Sequence, residues 1–209
     1  GTPLGNAVLR GEQRVPEPEA QADAYAMLGE RLAVAGFGCY ETSNFCLPEA
    51  ESRHNLGYGL RRPYLGLGPS AHGLLNGARY ANHWSLDRWA EALERGLAPE
   101  SEREPETPAA AACETLLLAL RLGTGVRPAD YPPARWSEVL SRYGHALRGA
   151  VTTGRLEAAG GGYRVAARHR FVADDVIAWI EARADRPFDS RTSAPIILGP
   201  CPSPLFPAA

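Results

Sequence analysis

Three short segments in the first half of the chain carry the side chains best suited to chemistry. They read YETSNF at 40–45, SRHNLGY at 52–58 and YLGLGPSAHG at 64–73. Strand interiors favour β-branched and aromatic residues, whereas polar residues and glycines collect where backbone or side chain meets a ligand. Apolar runs that end in Asn, His, Ser and Gly therefore predict a ligand pocket at the ends of short strands.

His54 is the strongest single candidate for a metal ligand. It lies between Arg53 and Asn55 and four residues before Tyr58. Histidine is the commonest protein ligand of haem iron, and neighbouring aromatic rings can pack on the face of a macrocycle. A lone histidine is more often a hydrogen-bonding residue of a pocket or core, so the residues alone leave both interpretations open.

The third segment contains a glycine-rich run that resembles a dinucleotide-binding loop only superficially. Pro69 and the lack of a following helix argue against that function. The glycines instead indicate a strand end where the backbone approaches a ligand closely. His72 follows this run. It either contacts that ligand or is a histidine satisfied by the backbone at the rim of the pocket.

Tyr40, Glu41 and Asn44 in the first segment, and Asn82 beyond the third, are interpreted as supports of the pocket. The Glu41 carboxylate is suited either to neutralise Arg53 or Arg79 or to anchor a polar loop. Paired charges at such positions more often stabilise packing than perform catalysis. The sequence therefore predicts a structural network here.

Composition excludes several function classes. All 22 basic residues are arginine, so the chain has no Schiff-base lysine and no P-loop lysine. A net charge of −2 gives no reason to expect a nucleic-acid partner. The four cysteines form no C-x-x-C pair, which argues against a zinc or iron–sulfur knuckle. No apolar run is long enough to cross a membrane, and we expect a soluble, cytoplasmic protein.

The first part of the chain, 1–97, has the pattern of an α/β unit. Helical spacing predicts a helix over 17–35, followed by a strand over 37–45. Residues 54–75 alternate tyrosines and leucines with glycines, which predicts two strands joined at 61–63. Ser85 is a good N-cap for a further helix. Helix–strand units with functional strand ends are typical of the last part of an α/β barrel.

The rest of the chain predicts a helical region. Residues 98–106 are charged and contain proline, which is typical of a linker. Thr107 and Pro108 start a helix, 134–143 and 146–153 predict two more, and glycines at 160–162 predict a hairpin before a last helix. This order is winged-helix-like over 107–184. Scattered arginines diluted by acidic residues are more typical of a solvated surface than of a nucleic-acid-binding one. Residues 185–209 are proline-rich and predict a flexible tail.

Together the three segments resemble one family closely, that of oxygen-independent coproporphyrinogen III oxidase and its haem-chaperone relatives of the HemW type. These are radical S-adenosylmethionine (SAM) proteins. The run from His54 to Tyr58 is similar to the H-N-x-x-Y-W motif of the chaperone branch, with Gly59 where the family has tryptophan. The resemblance extends over 1–184, and 168–177 is similar to the family ending R-x-R-F-x-A-D-x-V-I.

The resemblance implies a role for each candidate. It places haem at His54, Asn55 and Tyr58, with His54 as the ligand of the haem iron, and SAM at Ala71 and His72. The pocket supports are then Tyr40, Glu41, Asn44, Arg53 and Asn82. It also implies that Gly59→Trp, which restores the family's aromatic residue, tightens haem binding.

The same resemblance implies that the complete protein binds SAM, a [4Fe–4S] cluster and haem, and delivers haem to an acceptor protein. The cluster motif C-x-x-x-C-x-x-C would lie upstream of Gly1, so we expect a C-terminal portion that does not cleave SAM alone. Two alternatives remain open. One is a true oxidase that decarboxylates porphyrinogen propionates, and the other is a winged-helix nucleic-acid-binding protein.

Overall fold

The computed structural model describes residues 2–184, which form helices and short antiparallel sheets. The helices are α1 (Pro3–Leu9), α2 (Pro18–Val34), α3 (Arg53–Gly59), α4 (Leu86–Glu94), α5 (Pro108–Leu120), α6 (Pro133–Thr152) and α7 (Ala173–Glu181). The strands are β1 (Gly38–Glu41), β2 (Asn44–Cys46), β3 (His72–Leu75), β4 (Ala78–Asn82), β5 (Glu100–Pro105), β6 (Leu156–Ala159) and β7 (Gly162–Val165). The predicted tail at 185–209 lies outside the described residues.

The strands form three separate sheets. β1 pairs with β2, β3–β4–β5 form a meander, and β6 pairs with β7 around the predicted glycine turn. All of these pairs are antiparallel. The strands of an α/β barrel pair in parallel, and none of the named strands in residues 2–184 does so. A barrel segment over 1–97 therefore stays a prediction.

The hydrophobic core lies in the second half of the chain. Leu116, Leu120, Val139, Leu147 and Ile180 are at most 1% exposed and bring α5, α6 and α7 together. By contrast, α1 and α2 bury no residue. No helix within residues 2–184 combines the length and apolar character needed to span a bilayer.

Sequence signals for helix starts are confirmed where a hydroxyl caps the helix. Ser85 Oγ accepts a hydrogen bond from Arg88 N before α4, and Thr107 Oγ1 accepts one from Ala110 N before α5. Each hydroxyl satisfies one backbone donor that has no partner inside the helix. The helix predicted over 17–35 is also confirmed, as α2.

The strand predicted from residue 54 is wrong, because residues 53–59 form α3. Ser52 Oγ accepts a hydrogen bond from Asn55 N at 3.3 Å and so caps this helix. The alternation of tyrosine and leucine with glycine masked the cap. The single strand predicted over 37–45 is instead the hairpin of β1 and β2.

Two predictions in the second half are also corrected. The predicted linker contains β5, which pairs with β4 and carries exposed charged side chains, as edge strands commonly do. The two helices predicted over 134–143 and 146–153 are one helix, α6. Gly144 costs this helix about 1 kcal/mol relative to alanine. Its buried neighbours Tyr143 and Leu147 offset that cost by packing in the core.

The C-terminal end of α5 is tied to the first hairpin. Arg121 O accepts hydrogen bonds from Thr42 N at 2.9 Å and from Thr42 Oγ1 at 3.1 Å. Gly123 N donates to Tyr40 O at 2.8 Å. These bonds satisfy backbone groups at the helix end and hold the hairpin against α5.

Candidate functional site

His54 lies on the exposed surface of α3, one turn before Tyr58. Residues four apart lie on one face of a helix, and the two rings meet edge to face, with centroids 4.6 Å apart at an interplanar angle of 82°. The imidazole is therefore accessible and has one aromatic neighbour within its own helix.

Asn55 connects α3 to the first hairpin. Its Nδ2 donates to Tyr40 Oη at 3.2 Å. The carboxylate of Glu41 in turn accepts from Ser43 N at 2.9 Å and from Asn44 Nδ2 at 2.6 Å. The residues predicted to support the pocket on this side are thus hydrogen-bonded to their neighbours.

The cation beside Glu41 is not one that the sequence suggested. Glu41 Oε1 lies 3.5 Å from Arg121 Nε, whose guanidinium also pairs with Asp174 at 2.5 Å. Arg79 instead pairs with Glu114, on a different part of α5. The pairing of Glu41 with Arg53 or Arg79 is wrong, because the hairpin packs against the C-terminal end of α5. The alternative role of Glu41, anchoring a polar loop, is confirmed by its hydrogen bonds to Ser43 and Asn44.

A cavity of about 360 Å³ opens between the hairpin, α3 and the end of α5. It brings four predicted site residues together, and its lining is Glu41, Ser43, Asn44, Asn55, Tyr58, Gly59, Leu118, Arg121 and Leu122. Ala71 and His72 are not among these lining residues. His54, Tyr40 and Arg53 also lie outside this lining. The third segment meets the second through Tyr64, whose ring packs on that of Tyr58.

The third segment is held by Asn82, which is 5% exposed on β4. Its Nδ2 donates to Gly66 O at 3.1 Å and to Gly68 O at 2.8 Å, and its backbone N donates to Ala71 O at 2.9 Å. Gly68 has a φ of +95°, a conformation that glycine adopts at little cost. His72, exposed at the start of β3, follows this loop.

We expect Asn82→Ala to lower the free energy of unfolding by about 2 kcal/mol, because two buried hydrogen bonds to the loop are lost. Urea denaturation measures this loss, and amide exchange should show faster exchange across 66–71. A matched control is Asn6→Ala, since Asn6 is exposed on α1. Equal exchange in the Asn82 variant and the parent would contradict the role of this side chain.

A buried network of ion pairs joins α5 to arginines of the first half of the chain, and sequence reasoning missed it. Glu114, on α5, pairs with Arg61 and with Arg79, and Arg61 also pairs with Glu106. Burial lowers the pKa of Arg61 to about 10, which still leaves the guanidinium charged at neutral pH. The available signal was a glutamate within the apolar run of α5, where an unpaired charge is costly.

Known proteins that resemble this chain point to one family. Haem chaperone HemW of Mycobacterium tuberculosis H37Rv is 34% identical over 177 residues, covering 85% of this chain and 43% of that protein. HemW of Synechocystis is 37% identical over 133 residues, covering 62% of this chain and 32% of that protein. The chain belongs to the HemW-type branch. It spans less than half the length of these HemW relatives.

More distant matches agree with the HemW-type assignment. A mitochondrial radical SAM domain-containing protein 1 of zebrafish is 37% identical over 100 residues, covering 48% of this chain and 21% of that protein. The solved structure of coproporphyrinogen III oxidase (HemN) from Escherichia coli, a radical SAM enzyme, matches with a TM-score of 0.58 at 14% identity, over 79% of this chain and 42% of that one. That likeness concerns the fold. No protein-family model matches the chain.

The position after Tyr58 differs from the HemW-type motif for a visible reason. Gly59 is buried in α3, and a Cβ atom there would lie 2.5 Å from Leu122 Cδ2. A tryptophan at this position meets Leu122 first, so the expectation that it would pack on a porphyrin does not fit this geometry. The helix face that carries His54 does not include residue 59.

The acidic, histidine and cysteine side chains of the described residues are dispersed. Within residues 2–184, no three His, Cys, Asp or Glu side chains lie together as a metal site. Cys39, Cys46 and Cys113 are separate thiols that form no disulfide.

Proposed function

We propose that this chain contributes the haem-binding part of a HemW-type haem chaperone. The observation that carries the proposal is the exposed imidazole of His54, which meets the ring of Tyr58. Tyr58 in turn lines a cavity of about 360 Å³, whose lining does not include His54 itself. The HemW relatives are named haem chaperones, which supports the same role. Haem, when bound, supplies an iron with an open coordination position for a nitrogen ligand.

The residues around His54 have different roles in haem binding. His54 presents the nitrogen ligand, and Tyr58 offers an aromatic surface beside it. Asn55 fixes α3 against β1 through Tyr40, which keeps the helix in place during binding. Glu41 and Asn44 shape the cavity wall through their mutual hydrogen bond. Arg53, exposed on α3 beside His54, is available to a carboxylate at the rim.

SAM is proposed to contact the third segment, at Ala71 and His72. Asn82 would serve this contact by fixing the carbonyl groups of Gly66 and Gly68. The cluster that SAM chemistry requires would be held by residues outside 2–184. This part of the proposal depends on the family resemblance together with the ordered loop.

We also propose how the two parts of the chain fit into the complete protein. Residues 1–97 would form the C-terminal segment of a radical SAM barrel, and 107–184 a winged-helix-like domain in which β6 and β7 form the wing. We also propose a cytoplasmic location.

We expect His54→Ala to weaken haem binding by the chain about tenfold, a cost of ~1.4 kcal/mol, and to shift the Soret band. Loss of the coordinating nitrogen changes both the affinity and the electronic environment of the iron. The measurement is a haem titration followed by absorbance. His145→Ala, which removes an exposed histidine of α6, is the control. An unchanged spectrum and affinity for His54→Ala would remove the histidine from haem binding.

A further inference from the structure

We propose that Tyr64 is a positioning residue for His54 and acts through the ring of Tyr58. This inference rests on the haem-binding role proposed above. The observation is a continuous row of three aromatic rings, His54–Tyr58–Tyr64, which we call the ring row. The centroids are 4.6 Å apart in both contacts, with interplanar angles of 82° and 75°. Both contacts are edge-to-face, the arrangement that the charge distribution of aromatic rings favours.

The two ends of the ring row are held to different extents. His54 and Tyr58 are both exposed on α3, whereas Tyr64 is half-buried. The backbone of Tyr64 forms an isolated bridge with Leu74 of β3, with both N–H to O distances at 3.0 Å. The inner end of the ring row is therefore anchored to a strand, and the outer end depends on its neighbours.

The hydroxyl group of Tyr64 supplies a second anchor. Arg79 Nη1 donates to Tyr64 Oη at 3.3 Å. The same guanidinium pairs with Glu114, whose side chain is 9% exposed in the ion network on α5. Tyr64 is thus fixed at its backbone and at the far end of its side chain. A ring held at both ends is a firm surface against which Tyr58 can pack.

A fixed Tyr58 matters because an exposed histidine otherwise samples several rotamers. Apparent affinity falls in proportion to the fraction of molecules in the binding-competent conformation. If the ring row roughly triples that fraction, then its loss weakens haem binding about threefold. The Soret band should stay in place, because His54 remains available as the ligand.

The first test needs no haem and records the ring-proton NMR signals of His54 in the chain. Tyr64→Leu removes the inner ring, so the His54 signals should move toward those of an unstructured histidine. Tyr64→Phe keeps the ring and removes only the hydroxyl, so the movement should have the same direction and be smaller. If the leucine variant does not fold, the phenylalanine variant decides. Unmoved signals in the folded variants would overturn the proposal.

Tyr25→Leu is the matched control, because Tyr25 also has two aromatic neighbours, Phe45 and Phe171. It lies on α2, outside the ring row, and should leave the His54 signals unchanged. A movement as large as that in Tyr64→Leu would mean a general loss of structure and would overturn the specific role of Tyr64.

Haem titration of the same variants separates this inference from the proposed function. We expect about threefold weaker binding for Tyr64→Leu with an unshifted Soret band. If His54→Ala leaves haem binding unchanged while Tyr64→Leu moves the His54 signals, the positioning stands and the haem role fails. If His54→Ala weakens binding while the His54 signals stay unmoved in the Tyr64 variants, the positioning fails and the haem role stands.

Discussion

Glu114→Gln should lower the free energy of unfolding by about 3 kcal/mol, the lower end of what breaking a buried ion pair costs. Glu114 is the shared partner of Arg61 and Arg79. Its neutralisation leaves Arg61, whose side chain is 5% exposed, with Glu106 as its remaining carboxylate partner within residues 2–184. Arg79 is 32% exposed and can reach water, so the lower end of the range applies. Chemical denaturation followed by circular dichroism measures the loss.

Glu157→Gln is the matched control for the charge change. Its carboxylate pairs with Arg164 at 2.9 Å, but the two side chains are 44% and 47% exposed. Water screens such a pair, and its loss should cost at most about 0.5 kcal/mol. If the Glu114 and Glu157 variants lost equal stability, the network on α5 would contribute no more to the free energy of unfolding than an exposed ion pair does.

Gly59→Trp should also be destabilising, by about 2–3 kcal/mol, because overpacking a filled space forces neighbours to move. The side chain of Leu122, which is 3% exposed, occupies the direction in which the new side chain must point. Thermal and urea unfolding of this variant measure the loss. Haem affinity should fall or stay constant, in contrast to the gain that the family motif alone suggests.

Two further variants make the steric explanation specific. Gly57→Trp adds the same side chain to the same helix, at a position where a Cβ atom meets nothing within 4 Å. It should cost far less than Gly59→Trp. Leu122→Ala should then recover part of the stability of the Gly59 variant, since it opens the space that the indole needs. Additive losses in the double variant would contradict direct contact between the two positions.

Local signals predicted the helices well where a cap or a clear apolar face was present. Thr107 with Pro108, and Ser85, are confirmed helix starts. Ser52 is a cap of the same kind, yet the stretch from residue 54 is predicted as a strand because tyrosine and leucine alternate with glycine there. The helix forms because its buried face, at Gly59, packs against Leu122. That contact lies over 60 residues away and has no local signature.

The candidate site was also predictable only in part. Its residue types and segment order were visible in the sequence, and Asn44, Asn55 and Tyr58 do line one cavity. The partners were not visible, since Glu41 reaches Arg121 and Arg79 reaches Glu114 only after the hairpin and the meander pack against α5. Ion pairing between distant segments depends on packing, and spacing along the chain does not encode it.

α5 is fastened to the site-bearing half at two separate points. One is the ion network at Glu114, and the other is the backbone contact of Arg121 with Thr42 near the helix end. Glu114 and Arg121 are seven positions apart, which corresponds to about 10 Å along a helix. A single attachment would act as a pivot, whereas two attachments this far apart resist twisting and bending of one half against the other. Thermal motion should therefore leave the orientation of α3 relative to the helical region nearly constant, so that His54 keeps one fixed direction with respect to α5.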